Sequence, residues 1–295
     1  MTNPIPDSEP ARVAIVTVSF GSGPVLGSFL ESVPASSAVA PALVIADNRP
    51  AAPFGVADIA RSSGAEYLPL DANPGYGGAI NVAVRALPKT VEWILISNPD
   101  VVLHAGVIDR LFATGDSDER IGAVGPAIYT ATGELYPSAR TVPSLRTGIG
   151  HALFANIWVG NPWSKSYRND RADAETAGAR DAGWLSGACL LVRRTAFDDI
   201  GGFDSGFFMY FEDVDLGYRL GKAGYRSVYE PTAGATHTGA HSTAADSAAM
   251  VRAHHDSAKR FLSKKYSGAV LWPVRAALGL SLAVRSAFVR RTIDR

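Results

Sequence analysis

The sequence predicts an α/β protein, with a mostly parallel sheet flanked by helices and further helices at the C-terminus. Three observations predict it. Apolar β-rich runs alternate with helical stretches through the first hundred residues, and parallel strands need such crossovers. The strongest of these runs are apolar throughout, as strands covered on both faces are. Several of them stop in polar residues, and ligands of such sheets bind at the carboxyl ends of the strands.

The elements follow in order. "RVAIVTVSF" (12–20) is a buried strand. A Gly/Ser/Pro turn follows, then a helix near 25–33. "ALVIADN" (42–48) is a second strand, 53–63 a helix, and "EYLPL" (66–70) a third strand. "NPGYGGAINVAVRAL" (73–87) is a glycine-rich turn feeding a helix, and "EWILISNPD" (92–100) holds a fourth strand. "IGAVGPAIY" reads as a strand and "TATGELYPSARTVPS" as a turn and hairpin. Residues 140–182 are irregular and hold Trp158, Trp163 and Tyr167. "GWLSGACLLVRR" (183–194) reads as one long strand. "TAFDDIGGFD" is a short helix closed by Gly201–Gly202. "FFMYFEDVDLGYRL" leads into a helix that runs to Ala223. "RSVYEP" is a strand, "THTGAHS" a loop, and 244–265 a helix. No internal repeat and no low-complexity linker interrupts this single domain.

Composition narrows the class. The chain has 295 residues, 47% of them hydrophobic and 19% charged, enough for a sizeable core. Formal net charge is zero, so no global basicity points to nucleic acid. The balance hides an asymmetry. From Lys259 to Arg295 nine Lys or Arg face one acid, Asp294, giving +8; residues 1–258 therefore carry −8. The stretch "GAVLWPVRAALGLSLAVRSAFVRR" has no apolar run near the roughly 18 residues of a membrane span, and Arg275 and Arg285 interrupt it. It reads as a segment lying on an anionic membrane surface through Leu271, Trp272, Leu278 and Phe288. A plain surface helix is the alternative, and exposed apolar surface there equally suits a homo-oligomer. The lone Cys189 cannot form an internal disulfide, which fits a reducing compartment. Residues 1–11, "MTNPIPDSEPA", read as a disordered tail without the apolar core of a signal peptide.

The chemistry concentrates at the strand ends. Asp47 closes the second strand, where an acid can hold a ribose or base, or simply cap a turn. "GSGPVLG" (21–27) imitates a dinucleotide fingerprint, but its last glycine comes one position late and Pro24 occupies the turn. Asn98–Asp100 sits at the mouth of the sheet, where a divalent cation and a diphosphate can meet. The same Asn-Pro-Asp is also a good turn. Glu212, Asp213 and Asp215 crowd into four positions. Asp215 and Arg219 pair at i,i+4, and acids suit the positive end of a helix. Asp213 points about 100° from Glu212 by helix geometry, toward a cleft. A carboxylate near apolar walls and another acid has a raised pKa, which suits a general base. His237 and His241 are four apart, but a zinc site lacks its further ligands.

These motifs come in an order that resembles the family 2 glycosyltransferases, inverting enzymes with the GT-A fold. "IGGFDSGFFMYFEDVDLGYRLGKAGYRSVYEP" followed by a histidine, "NPGYGGAINVAV" and "ISNPDVVL" resemble its rhamnosyltransferase branch. "YPSARTVPSL", "GNPW", "VGPAIY" and "AHHDSAKRFL" are similar to members of that branch acting on polyprenyl-diphospho-N-acetylglucosamine in cell-wall linker synthesis. The resemblance covers Arg12 to Ser242. It implies a Rossmann-like nucleotide-sugar half over 12–130, an acceptor half over 131–242, and a basic helical region over 243–295.

The resemblance also implies roles. Thr17, Ser19, Asp47, Asn73, Gly75, Asn98 and Asp100 fall at donor positions. Asp213 falls at the catalytic base. Asp100 and His237, with Asn98, fall where Mg²⁺ or Mn²⁺ is held. Asn98 departs from the family's acid, since an amide is a weaker, neutral ligand. Trp184, Ser186, Gly187 and Glu212 fall on the acceptor side. The implied donor is dTDP-β-L-rhamnose, and the implied acceptor atom is O3 of polyprenyl-diphospho-N-acetylglucosamine. The implied place is the inner face of the plasma membrane, on the cytoplasmic side. Rival readings are a UDP-hexose transferase, an NAD-dependent oxidoreductase and a non-catalytic sugar-binding module. The NAD reading leaves "NPD" and "FEDVD" unexplained.

Overall fold

The computed structural model describes residues 11–144, 178–239, 247–268 and 272–273. The expected features at 145–177, including Trp158, Trp163 and Tyr167, lie outside them. So do His241, Leu271, Arg275, Leu278, Arg285 and Phe288.

The first half follows the alternating pattern. Strand β1 (Val13–Ser19) leads to α1 (Gly23–Ser36), β2 (Ala42–Asp47), α2 (Val56–Ser63), β3 (Glu66–Pro69), α3 (Gly75–Ala86) and β4 (Trp93–Ser97). Pro24 stands in the first turn of α1, where its missing N–H costs nothing. This explains how a helix start can imitate a dinucleotide loop. Next come β5 (Val101–Leu103), α4 (Val107–Asp116), β6 (Ile121–Thr130), β7 (Leu135–Tyr136) and β8 (Ala139–Arg140). The chain continues with β9 (Arg180–Ala182), β10 (Trp184–Leu185), β11 (Cys189–Arg193), α5 (Arg194–Asp199), α6 (Glu212–Lys222), β12 (Arg226–His237) and α7 (Ser247–Lys265).

Among the described residues, ten strands form one sheet in the order β3-β2-β1-β4-β11-β6-β12-β5, with β7 on β6 and β9 on β12. Its first four strands are parallel. β11 enters antiparallel between β4 and β6, and β12 is parallel to β6. Strands β10 and β8 form a separate small pair. Helices cover both faces. Ile80, Ala83 and Val84 of α3 pack with Leu216 and Leu220 of α6 against Val16, Ile94 and Ile96. On the other face Leu26 and Phe29 of α1 and Leu111 of α4 meet Ile15, Ile45 and Leu95. Successive side chains of a strand point to opposite faces, so both faces must be apolar here. Each fully buried Leu, Ile or Val contributes roughly 1.5–3 kcal/mol.

Three sequence expectations change. The run 183–194 is two strands, because the backbone at 186–188 bonds elsewhere. Ser186 N–H donates to Ser138 O, Gly187 N–H donates to Asp213, and Ala188 O accepts from Asn98 N–H. Strand β12 runs past Pro231 to His237 through a register shift between Glu230 and Gly234. Proline is tolerated at such an irregularity, so Thr236 and His237 lie on a strand and not in a loop. Finally, β5 and α4 were not expected from the pattern. Val107, Ile108 and Leu111 form the buried side of α4.

Candidate active site

The carboxyl ends of β1, β2 and β4 lie side by side. Ser19 is in register with Asp47, and Thr17 with Ser97. Thr17, Ser19 and Asp47 are buried, Asp47 to 1% exposure. Asp47 Oδ1 accepts from Arg49 N–H at 3.1 Å, so it does cap its turn. Its Oδ2 accepts from Tyr67 OH at 3.1 Å. Burial, and then this carboxylate, push the Tyr67 phenol up to about 12. Thr17 Oγ1 and Asn48 Oδ1 are buried without a partner among the described residues. Asn48 Nδ2 donates to Gly75 O at 3.2 Å. Asn73 is exposed, and its Oδ1 accepts from Gly75 N–H at 3.0 Å. Gly75 has φ +80°, and a Cβ there would strike the Phe208 backbone, so α3 starts hard against the 203–211 segment.

Beyond β4 the Asn98–Asp100 turn meets the end of β12. His237 Nε2 lies 3.1 Å from Asp100 Oδ1 and 3.3 Å from Asn98 Nδ2. One ring nitrogen cannot both donate to the carboxylate and accept from the amide. Turning the amide over presents Asn98 Oδ1 at the same place. Asn98 Oδ1 and Asp100 Oδ1 then both stand beside the His237 ring nitrogen. Asp100 is only 4% exposed, and its Oδ2 has no partner among the described residues. Such an orphaned oxygen suits a cation. Among the described residues no three His, Cys, Asp or Glu side chains gather into a metal site, so the trio depends on the amide.

The acid cluster opens α6. Asp215 is fully buried and pairs with Arg219 at 2.6 Å and Lys264 at 2.8 Å. Asp213 is half-buried. Its Oδ2 accepts from Gly187 N–H at 3.0 Å and its Oδ1 from Val214 N–H at 2.8 Å. Burial raises its pKa, while these two bonds and the Arg140 charge pull the other way. Glu212 is 8% exposed, and Oε2 has no partner among the described residues. Burial first, then the Asp213 charge, push it up to about 8. Burial favours the protonated form of both neighbours, and the Gly187 and Val214 N–H groups with the Arg140 charge oppose it at Asp213. Just before them Tyr210 and Phe211 adopt φ +66° and +64°. Bulky residues in that left-handed region cost about 1–3 kcal/mol each.

Ser186 and Gly187 sit in the β10–β11 turn against this helix. Ser186 Oγ accepts from Ala188 N–H at 3.3 Å. Trp184 lies behind them; its Nε1 donates to Thr141 O at 3.1 Å, and Arg140 stands 5.7 Å from its ring. The sequence pattern missed Tyr76. Its hydroxyl donates to Gly187 O at 2.7 Å, and its own pKa is driven far up by burial and by Glu212 and Asp213. Tyr76 lies inside the "NPGYGG" motif, which was the available signal. Asn98 N–H donates to Ala188 O at 2.9 Å. The turn at 186–188 thus ties the strand-end cluster to the base cluster. Hydrogen-bonded acids on one side, and polar strand ends on the other, suit a site for group transfer.

A model of the family described as "Glycosyltransferase like family 2" matches residues 10–255. The chain belongs to glycosyltransferase family 2. This glycosyltransferase is 42% identical over 287 residues to the N-acetylglucosaminyl-diphospho-decaprenol L-rhamnosyltransferase of Mycobacterium tuberculosis (strain H37Rv), covering 94% of this chain and 92% of that protein. It is 40% identical over 197 residues to the rhamnosyltransferase WbbL of Escherichia coli (strain K12), covering 65% of this chain and 71% of that one. Among solved structures, the mannosyltransferase of Pyrobaculum calidifontis, in complex with GDP-Man and Mn²⁺, superposes with a TM-score of 0.58 at 15% identity. The match covers 97% of this chain and 78% of that one. The fold is GT-A.

Proposed function

We propose that this glycosyltransferase moves L-rhamnose from dTDP-β-L-rhamnose to the 3-hydroxyl of polyprenyl-diphospho-N-acetylglucosamine, with inversion. The observation that carries the substrates is the 42% identity across 94% of the chain to the mycobacterial decaprenol-linked rhamnosyltransferase. The mechanism draws on the geometry of Asp213.

Asp213 is the base. Held by Gly187 and Val214 N–H groups, it accepts the proton of the acceptor hydroxyl as that oxygen attacks the anomeric carbon. The bond to the diphosphate breaks on the opposite face, so one displacement inverts the centre and needs no enzyme nucleophile. The start of α6 stabilises the anionic base beforehand. Thr17, Ser19 and Asp47 take the nucleoside, and Asn73 and Gly75 the sugar-diphosphate side. Trp184, Ser186, Gly187 and Glu212 shape the acceptor pocket. Asp100, His237 and Asn98 would hold Mg²⁺ or Mn²⁺, which when bound neutralises charge on the departing diphosphate. With an amide in place of an acid, that binding is weak.

Residues 12–130 serve the donor, 131–242 the acceptor, and 243–295 the membrane side. No helix of the described residues is long and apolar enough to cross a membrane. A lipid-linked acceptor instead fits a chain held at an anionic surface by its +8 C-terminal stretch, where Trp272 is exposed. Transfer from dTDP-rhamnose and from UDP-hexoses to polyprenyl-diphospho-N-acetylglucosamine tests the reading. Rhamnose transfer from the dTDP donor is expected. Transfer from a UDP donor alone contradicts the substrate assignment.

A further inference from the structure

Helix α7 lies outside the sheet, yet it touches each piece that sets the base. Its first half grips the left-handed turn. Ser257 Oγ donates to Met209 O at 2.7 Å, and Tyr210 OH donates to Met250 Sδ at 3.4 Å. The His254 ring stands edge-on to Tyr210 and Phe211, at 5.5 and 5.3 Å. Its second half grips the flanks. Arg260 and Lys264 pair with Asp204, each at 2.8 Å, and Lys264 reaches Asp215 at 2.8 Å. Phe261 is fully buried beside Phe207 and Val214.

Two adjacent non-glycine residues with positive φ do not hold themselves. Such backbone persists only where its surroundings over-determine it. Phe211 is also the residue from which α6 starts, and its carbonyl accepts from Asp215 N–H at 2.8 Å. The angle at which Asp213 leaves the turn is therefore set at Tyr210–Phe211. Ser257 is 7% exposed, and its hydroxyl bonds the main chain at Met209, where that turn begins.

We infer that α7 is a brace that holds the α6 start in its strained form, and that Ser257 is a positioning residue for Asp213. This rests on the reading of Asp213 as the base, but its structural half does not need the substrates. Ser257 touches no reacting atom. It keeps Met209 O in place, so that the carboxylate meets Gly187 N–H.

The test compares the full-length wild type with Ser257→Ala, Ser257→Thr and the exposed-site control Glu119→Ala. Amide hydrogen exchange at Gly187 reports whether Asp213 still accepts its bond. We expect Ser257→Ala to speed that exchange about tenfold without a matching change across the β1–β4 amides. In rhamnose transfer it should lower kcat about tenfold and leave the donor KM within about twofold. Ser257→Thr keeps a hydroxyl and should restore both; Glu119→Ala should change neither. Unchanged Gly187 exchange in Ser257→Ala overturns the brace, whatever the substrates. A uniform rise in exchange overturns it too, since that marks general loosening. A wild type that transfers no rhamnose contradicts the proposed function only, and the exchange result still decides the inference.

Discussion

The proposed donor side and the proposed acceptor side of this enzyme are built in different ways. On the donor side, Ser19, Asp47 and Asn98 stand at the ends of parallel strands whose register is unbroken from β3 to β4. Backbone there is ordinary, and Asp47 already has two hydrogen-bond donors. On the proposed acceptor side, Asp213 hangs from a left-handed turn, a short strand break and a helix from outside the sheet. Its acids are buried, and Glu212 Oε2 has no partner among the described residues. The sheet holds the proposed donor residues on regular structure, with Thr17 Oγ1, Asn48 Oδ1 and Asp100 Oδ2 unpaired among the described residues. The surroundings of Asp213 are assembled from irregular pieces, where strain can be held by packing.

That contrast can be broken in order of effect. Asp213→Asn should lower transfer by about a thousandfold, within the range expected when a general base is removed. The amide can still accept from Gly187 N–H, so the fold should stand, as circular dichroism would show. Asp100→Asn should act on the other side. It removes one charge from the Asp100–His237–Asn98 trio and should raise the donor KM about a hundredfold, measured with saturating Mn²⁺. A chelator should cost the wild type a similar factor and the variant little more.

Asp47→Ala is expected to be milder. The donor KM should rise about tenfold with kcat nearly unchanged, the signature of lost uniform binding. It should also let the Tyr67 phenol ionise below its present value of about 12, seen in an alkaline absorbance titration. Glu212→Gln should change kcat least. The variant keeps the Gly187 and Val214 bonds to Asp213, so the acidic limb of the rate profile should stay in place. Any change in rate near pH 8 should vanish. Stability should respond more than rate. The folded chain binds this proton up to about 8, whereas the ordinary carboxyl releases it near 4.5. Wild-type stability therefore falls as pH rises through that window. The melting temperature of Glu212→Gln should exceed the wild type by more at pH 8 than at pH 5.

Much of the donor side was legible in the sequence, because its signals are local. The apolar run at 12–20 and the polar stops at Asp47 and Asn98 mark strands and their ends without reference to distant residues. The Asp215–Arg219 pair was legible for the same reason, being one helical turn apart. On the acceptor side Asp213, Glu212, Ser186 and Gly187 could be named from the sequence, but not the contacts that join them. Residues 183–194 read as one strand, since the partners that break it are Ser138, Asp213 and Asn98, all far along the chain. Tyr76 acts on Gly187, 111 residues away, and Ser257 on Met209, 48 away. His237 was expected in a loop because Pro231 reads as a strand end, and only the shifted register beside Gly234 carries the strand past it. The helix α4 was missed although Val107, Ile108 and Leu111 mark its face, because Thr114 and Gly115 dilute so short a pattern.

If binding the donor and moving the proton are separate tasks of separate regions, Asp213→Asn should lose one and keep the other. Calorimetric titration of dTDP into wild type and Asp213→Asn, beside rhamnose transfer by the same two preparations, decides this. Equal dTDP affinity within about twofold is expected, with a transfer rate about a thousandfold lower in the variant. Loss of dTDP binding together with transfer would contradict it, as would an Asp213→Asn enzyme that still transfers sugar at the wild-type rate.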